Sequence, residues 1–315
     1  MRDILPSRHL AGPLSVLIPR VRPATASFYN RQCATIFSIC QIKHGGDPGF
    51  LRERMAFPYK HFLVIGATAG IGKALATRLI ESGAKVTAVG RRQDRLDEFV
   101  QTFGPTHAKG ERFDIGELVK IPDFVTRVMK ESPDIDSIVF NAGVQNPYDL
   151  ADLDNFDLTA FHQEVKINFS SFVSLTHALL PYLQKNPNPT SFIFTGSNLA
   201  IVPAATLPAY SASKAALNVF TLCLREQLRH SNTKVIEISP PPVQTELHDY
   251  MGEDAGRQLG MPLDAFTQQV YQGLTEGKDQ IVIGSIGPED TFNGIVDSRR
   301  TAFENLSKMM RGGKP

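Results

Sequence analysis

The sequence predicts an α/β domain, built from βα units around a parallel sheet. Two observations carry that expectation. From residue 60 onward, short apolar runs alternate with longer segments whose apolar residues recur every three or four positions. The first such run is followed at once by a glycine-rich turn, Gly66-Ala67-Thr68-Ala69-Gly70-Ile71-Gly72, that opens a segment of helical spacing.

The elements follow in order. His61–Ile65 is continuously apolar and reads as a buried strand. Ile71, Ala74, Leu75 and Leu79 share one face, which predicts a helix from Gly70 to Ile80, ended by Gly83. Lys85–Val89 is the second strand, with a charged helix near 93–103. A third strand ends near Phe113 and Asp114, and a helix covers about 117–130. Ser137–Phe140 is the fourth strand, and one long amphipathic helix runs over 157–184. Thr190–Thr195 is the fifth strand, 208–230 a helix and Lys234–Ser239 the sixth strand. After an irregular stretch over 240–262 come a helix and a seventh strand, Gln280–Ile283. No repeat or linker divides residues 55–315, which read as a single domain.

Composition excludes some classes of function. The chain has 315 residues, 42% hydrophobic and 21% charged, ordinary for a globular protein. A net charge of +1 offers no overall field to nucleic acid or an anionic membrane, so neither is expected as a partner. No apolar run reaches the roughly 20 residues of a membrane helix. Cys33, Cys40 and Cys223 have neither disulfide nor zinc spacing and read as free thiols in a reducing compartment, which favours the cytoplasm.

Residues 1–54 stand apart, with eight basic against three acidic residues and prolines at 6, 13, 19 and 23. Those prolines oppose a long amphipathic helix. The segment is expected to be disordered, as a transit peptide (which would place the protein in mitochondria) or as an extension foreign to the domain. Met55 would serve as a start site for the second case.

The glycine turn sits between a strand and a helix, the context in which a backbone can approach a pyrophosphate and a helix N-terminus can hold it. Gly66, Thr68, Ala69, Gly70, Ile71 and Gly72 are therefore candidate dinucleotide contacts. A carboxylate after the second strand would bind a ribose 2′-hydroxyl and favour NAD. Here the residues are Gly90-Arg91-Arg92, and a guanidinium at Arg91 or Arg92 suits a 2′-phosphate, so NADP is expected with NAD as the alternative. Asp114 either accepts from an adenine amine or caps a helix. Asn141, Ala142 and Gly143, at the end of the fourth strand, fall beside the same ligand.

Tyr210 and Lys214 lie one turn apart on a helix and share a face. A phenol ordinarily titrates near 10. A neighbouring ammonium is expected to lower that value and make Tyr210 an acid and base near neutral pH. Ser197 follows the fifth strand, where it can orient a carbonyl oxygen. Asn168 is a polar residue in a helix interior, which points to a buried role. After the sixth strand, the loop Pro240 to Thr245 brings Val243 and Thr245 toward the crevice.

Over residues 60–285 these motifs closely resemble the short-chain dehydrogenase/reductase family, and the triple-proline loop resembles its DltE-like microbial oxidoreductases. The resemblance implies a Rossmann-type, doubly wound seven-stranded parallel sheet. It implies a tetrad of Asn168, Ser197, Tyr210 and Lys214, with Lys214 on the nicotinamide ribose, Asn168 holding a relay water and Thr245 on the cofactor. It also implies hydride transfer with a small-molecule carbonyl or alcohol, and a homodimer or homotetramer. Ile65, Phe140 and Pro241 depart from the family pattern, and Pro241 lacks the N–H a loop residue there could donate. A catalytically silent dinucleotide sensor is the alternative. The expected substrate walls are residues 144–150, 199–207 and 246–261, including Val144, Tyr148, Ile201, Val202, Leu207, Leu247, Tyr250, Met251 and Met261, which favours an apolar, non-phosphorylated carbonyl, with His248 at the mouth.

Overall fold

The computed structural model describes residues 58–312; the expectations for residues 1–54, with Cys33, Cys40 and Met55, lie outside the described residues. Seven strands form one sheet: β1 His61–Ile65, β2 Lys85–Gly90, β3 Ala108–Arg112, β4 Ser137–Phe140, β5 Thr190–Thr195, β6 Thr233–Ser239 and β7 Gln280–Val282. Their order is β3-β2-β1-β4-β5-β6-β7, and every pairing is parallel. The winding reverses between β1 and β4, which opens a crevice outside the carboxyl ends of those strands.

Alternation along β1 divides the core. Phe62 and Val64 face one apolar cluster, with Leu75 and Leu79 of α1 (Gly70–Glu81), Leu96 and Phe99 of α2 (Gln93–Phe103) and the helix that follows the irregular stretch. Leu63 and Ile65 face the other. There they meet α3 (Ile121–Glu131), Phe172, Leu175 and Leu179 on the second half of the long helical segment, and Leu217 and Leu224 of the helix after β5. Both faces are thus covered, as a parallel sheet with fully buried β1, β4 and β5 requires.

Four details differ from the sequence expectation. Strand β3 ends at Arg112, and Asp114 instead closes a turn, its Oδ1 accepting from Gly116 N at 2.9 Å. The helix over 157–184 is not continuous. It consists of α4 (Leu158–Val165), a wide π turn at Lys166–Ser170, and α5 (Ser171–Lys185). Asn168 sits in that turn, and its amide binds main chain of another segment, an influence no helical period records. After α6 (Pro208–Gln227), the stretch over 240–262 contains a 3-10 turn at Glu246–Met251 and a short α7 (Glu253–Arg257) before α8 (Leu263–Thr275). Finally, a 22-residue helix, α9 (Glu289–Met310), was not foreseen; it buries only Phe292, Val296 and Ser307, so its apolar stripe is faint.

Candidate active site

A cavity of about 740 Å³ opens at the carboxyl ends of the central strands. Its lining takes in the sequence-predicted Gly66, Thr68, Ala69, Gly70, Ile71, Arg91, Arg92, Asp114, Asn141, Ala142, Gly143, Ser197, Tyr210, Lys214, Val243 and Thr245. Gly72 and Asn168 are absent from the lining and act from behind it.

The glycine turn is shaped by contact. Gly66 has φ +90°, and a Cβ there would stand 2.5 Å from the backbone nitrogen of Ala142. At Gly72 a Cβ would stand 2.0 Å from the Gly66 carbonyl oxygen and 2.6 Å from Asn141 Nδ2. These residues are glycine because two main-chain segments touch. Asn141 Nδ2 donates to Gly66 O at 3.2 Å, and its Oδ1 accepts from Thr195 Oγ1 at 3.2 Å, which pins the turn to β4 and β5. No side chain caps the N-terminus of α1, so its first N–H groups are left for a ligand. The cradle and the uncapped helix fit a dinucleotide pyrophosphate.

Tyr210 and Lys214 stand on the first turns of α6, both buried. Lys214 Nζ donates to Thr195 O at 2.8 Å and lies 5.6 Å from the centre of the Tyr210 ring. Burial pulls the Lys214 ammonium down to about 8, with Glu237 acting against that fall. Burial pushes the Tyr210 phenol up to about 12. A hydrogen bond with Ser197 lowers it, whereas the charges of Glu164 and Tyr250 raise it further. This corrects the expectation that Lys214 lowers the phenol: desolvation dominates, and the opposing pull comes from Ser197. Ser197 Oγ also accepts from Leu199 N at 3.1 Å, which fixes its place after β5.

Asn168 is fully engaged. Its Oδ1 accepts from Val144 N at 2.9 Å, and its Nδ2 donates to Val144 O at 2.9 Å and to Ser213 Oγ at 3.2 Å. The side chain therefore fixes the loop after β4 against α6. Ser213 Oγ in turn donates to Tyr210 O at 2.8 Å.

The arginines differ from one another. Arg91 is mostly exposed and stands 4.0 Å from the Asp114 carboxylate. Arg92 is bonded to Thr68 and Glu246. Of the expected substrate walls, Val144, Leu207, Leu247 and Tyr250 line the cavity, as does His248, but Tyr148, Ile201, Val202, Met251 and Met261 do not. Met261 packs on the core instead, and Met251 points to solvent.

Gln145, Asn146 and Glu246 fall inside the expected wall segments and line the cavity; sequence reasoning missed Glu164, Arg95 and the bonds that Glu246 makes. Glu164 is a buried carboxylate on α4 whose Oε2 accepts from Asn146 Nδ2 at 2.9 Å and Tyr148 OH at 3.3 Å. Burial raises its pKa. Arg95 was within reach, since it lies three residues after Arg92 and so on the same helix face. The pairing of Glu246 was not, because its partners are about 150 residues away in sequence. Among the described residues, no group of three or more His, Cys, Asp or Glu could hold a metal ion, and no helix is long and apolar enough to cross a membrane.

The fold, the glycine turn and the Ser, Tyr and Lys in one crevice define a dinucleotide-type oxidoreductase. A family model for short chain dehydrogenases matches residues 60–256, and the chain belongs to that family, the NAD(P)-dependent short-chain dehydrogenases/reductases. Among its relatives is the uncharacterized oxidoreductase DltE of Bacillus subtilis, 33% identical over 249 residues that span 79% of this chain and 95% of that protein. A benzil reductase ((S)-benzoin forming) of Saccharomyces cerevisiae is 28% identical over 245 residues, spanning 76% of this chain and 92% of that protein. A short chain dehydrogenase from Burkholderia cenocepacia solved in complex with NADP superposes with a TM-score of 0.64 at 25% identity, covering 80% of this chain and 98% of that one.

Proposed function

We propose that the protein is an NADP-dependent oxidoreductase that interconverts a carbonyl and a secondary alcohol, with Tyr210 as acid and base. The observation that carries the reading is that Ser197, Tyr210 and Lys214 open on the same cavity as the glycine turn. The dinucleotide, when bound, supplies or accepts the hydride. The turn Gly66–Gly72, the start of α1, Asn141 to Gly143, Val243 and Thr245 would hold it, with Asp114 on the adenine side. Arg91 and Arg92 are the side chains of the predicted set that favour NADP over NAD.

At neutral pH a phenol pushed up to about 12 keeps its proton. Tyr210 thus stands ready as the acid in carbonyl reduction, donating to the substrate oxygen while Ser197 donates a second hydrogen bond. Lys214 reaches the same crevice and can contact the ribose. Asn168 positions the Val144 loop rather than touching the reactants. Val144, Leu199, Leu207, Leu247 and Tyr250 favour an apolar carbonyl compound, in keeping with the substrate in the name of the yeast relative. Cytoplasmic residence and a homodimer or homotetramer belong to the same reading, light scattering on the purified chain being the check on the assembly.

The test is Tyr210→Phe, assayed by NADPH oxidation against a panel of ketones and diketones. The variant is expected to lose about 10³-fold in kcat/KM while NADPH binds within about threefold of wild type. Turnover retained within about tenfold of wild type removes the acid/base assignment.

A further inference from the structure

At the arginine end of the cavity one carboxylate is gripped by two guanidiniums. Glu246 Oε2 accepts from Arg92 Nη1 at 2.8 Å, and Glu246 Oε1 accepts from Arg95 Nη1 at 2.6 Å. Arg92 turns its remaining nitrogens on Thr68, with Nε at 3.2 Å and Nη2 at 3.0 Å from Oγ1. Arg95 Nη1 also donates to Thr68 O at 3.3 Å. Four segments meet here: the glycine turn, the residue before α2, the first turn of α2, and the 3-10 turn after β6.

The end of β2 has no room for an acid of its own. A Cβ on Gly90 would stand 2.4 Å from Thr68 Cγ2, so Thr68 fills the place beside that glycine. The carboxylate facing these arginines comes instead from the far end of the chain. Partial burial pushes the Glu246 carboxyl up, but the bonds from Arg92 and Arg95 outweigh it and hold the group below the usual carboxylate range, ionised at neutral pH.

Two guanidiniums converging on one anion, one of them held in place by the Thr68 hydroxyl that accepts from it, make up the donor set of a phosphate site. A phosphate in that place and the Glu246 carboxylate would need the same N–H groups. We propose that Glu246 is a specificity-determining residue that occupies the 2′-phosphate subsite from within, with Arg92 and Arg95 as the donors and Thr68 holding Arg92 in place. This rests on the NADP reading above and deepens it, since Arg95 joins the phosphate set. A 2′-phosphate must displace Glu246, so the chain prefers NADP less strongly than its arginines alone would allow. Displacement also frees the turn at Glu246–Met251, which brings Leu247, His248 and Tyr250 to the cavity.

The test uses two small probes, adenosine 2′,5′-bisphosphate and adenosine 5′-monophosphate, with dissociation constants measured by calorimetry. The proteins are wild type, Glu246→Gln, Arg92→Ala, Arg95→Ala and Glu98→Gln. The last removes a charge from α2 at a residue paired with Lys73, outside the cluster. Thermal unfolding of each variant confirms that it is folded. Glu246→Gln is expected to tighten the bisphosphate about tenfold and leave the monophosphate within about twofold. Arg95→Ala is expected to weaken the bisphosphate alone, and Glu98→Gln to change neither. An unchanged ratio in Glu246→Gln, equal weakening of both probes, or the same gain in Glu98→Gln overturns the inference. If wild type and Arg92→Ala both bind the two probes equally well, the NADP reading itself fails, a result distinct from those three.

Discussion

Beneath α1 the turn is set by main-chain contact: Gly66 rests against Ala142, Gly72 behind the wall rests against the Gly66 carbonyl, and the helix start carries no side-chain cap. Beyond Tyr210 the wall is made of side chains from three loops, among them Gln145, Asn146, Leu199, Leu207, Leu247 and Tyr250. Gly66 and Gly72 admit no Cβ, so space dictates residue type there. The wall beyond Tyr210 can be rebuilt one side chain at a time with the sheet intact. It also carries polar atoms without protein partners: Gln145 Oε1, the nearby Glu164 Oε1 and His248 Nδ1 are buried and unpaired. Unpaired acceptors are costly in a core and are found where ligands are read. The molecule thus joins a rigid, ligand-generic half to an adaptable, ligand-specific one.

The largest expected effect breaks the rigid half. Gly72→Ala places a Cβ 2.0 Å from a backbone carbonyl oxygen, and should cost about 3 kcal/mol in denaturant unfolding. Leu247→Ala, on a half-buried substrate wall, should cost about 1 kcal/mol or less. Equal costs would erase the distinction between the walls.

The next effect concerns the boundary between the halves. The Lys214 ammonium titrates at about 8 in the folded protein, against 10.5 ordinarily. Between those values the unfolded chain binds the proton and the folded chain does not, so stability rises with pH across the window. Lys214→Met removes the group and keeps the volume. The difference in unfolding free energy between variant and wild type should therefore narrow from pH 7.5 to pH 10 by on the order of 3 kcal/mol. A difference that stays constant with pH would place the ammonium in contact with water.

The smallest effect sharpens the adaptable half. The charge of Glu164 raises the Tyr210 phenol, alongside burial and Tyr250 and against Ser197. Glu164→Gln should lower that pKa. Alcohol oxidation needs the phenolate, so the acid limb of its pH profile should move to lower pH. Glu164 also holds Asn146 and Tyr148, and a merely structural loss there would change KM without moving the limb.

The rigid half was also the legible half. Glycines at fixed spacing after an apolar run are a local signal, and β1 and β4 have the bounds expected from their apolar runs, whereas β3 ends before Phe113. Asn168 was legible as a misplaced polar residue. The π turn around it was not, because that turn depends on an amide bonding to Val144, 24 residues away. The Tyr210 pKa was misread because i, i+4 spacing reports proximity and says nothing of desolvation. Glu246 was legible as part of a cavity wall, but its role was not, because a single acid in a loop carries no pairing pattern until the fold carries it to Arg92 and Arg95. The helix α9 escaped because half-exposed helices have weak periodicity.

The most direct measurement is isotope transfer. NADPH and NADH deuterated at C4 of the nicotinamide, on either face, are incubated with the enzyme and an accepted ketone, and the product alcohol is analysed by mass spectrometry and NMR. The account predicts one deuteron at the carbinol carbon from one face of the ring, and faster transfer from NADPH. An alcohol formed without deuterium from either face, or no alcohol from any ketone in the panel, would contradict hydride transfer in this cavity.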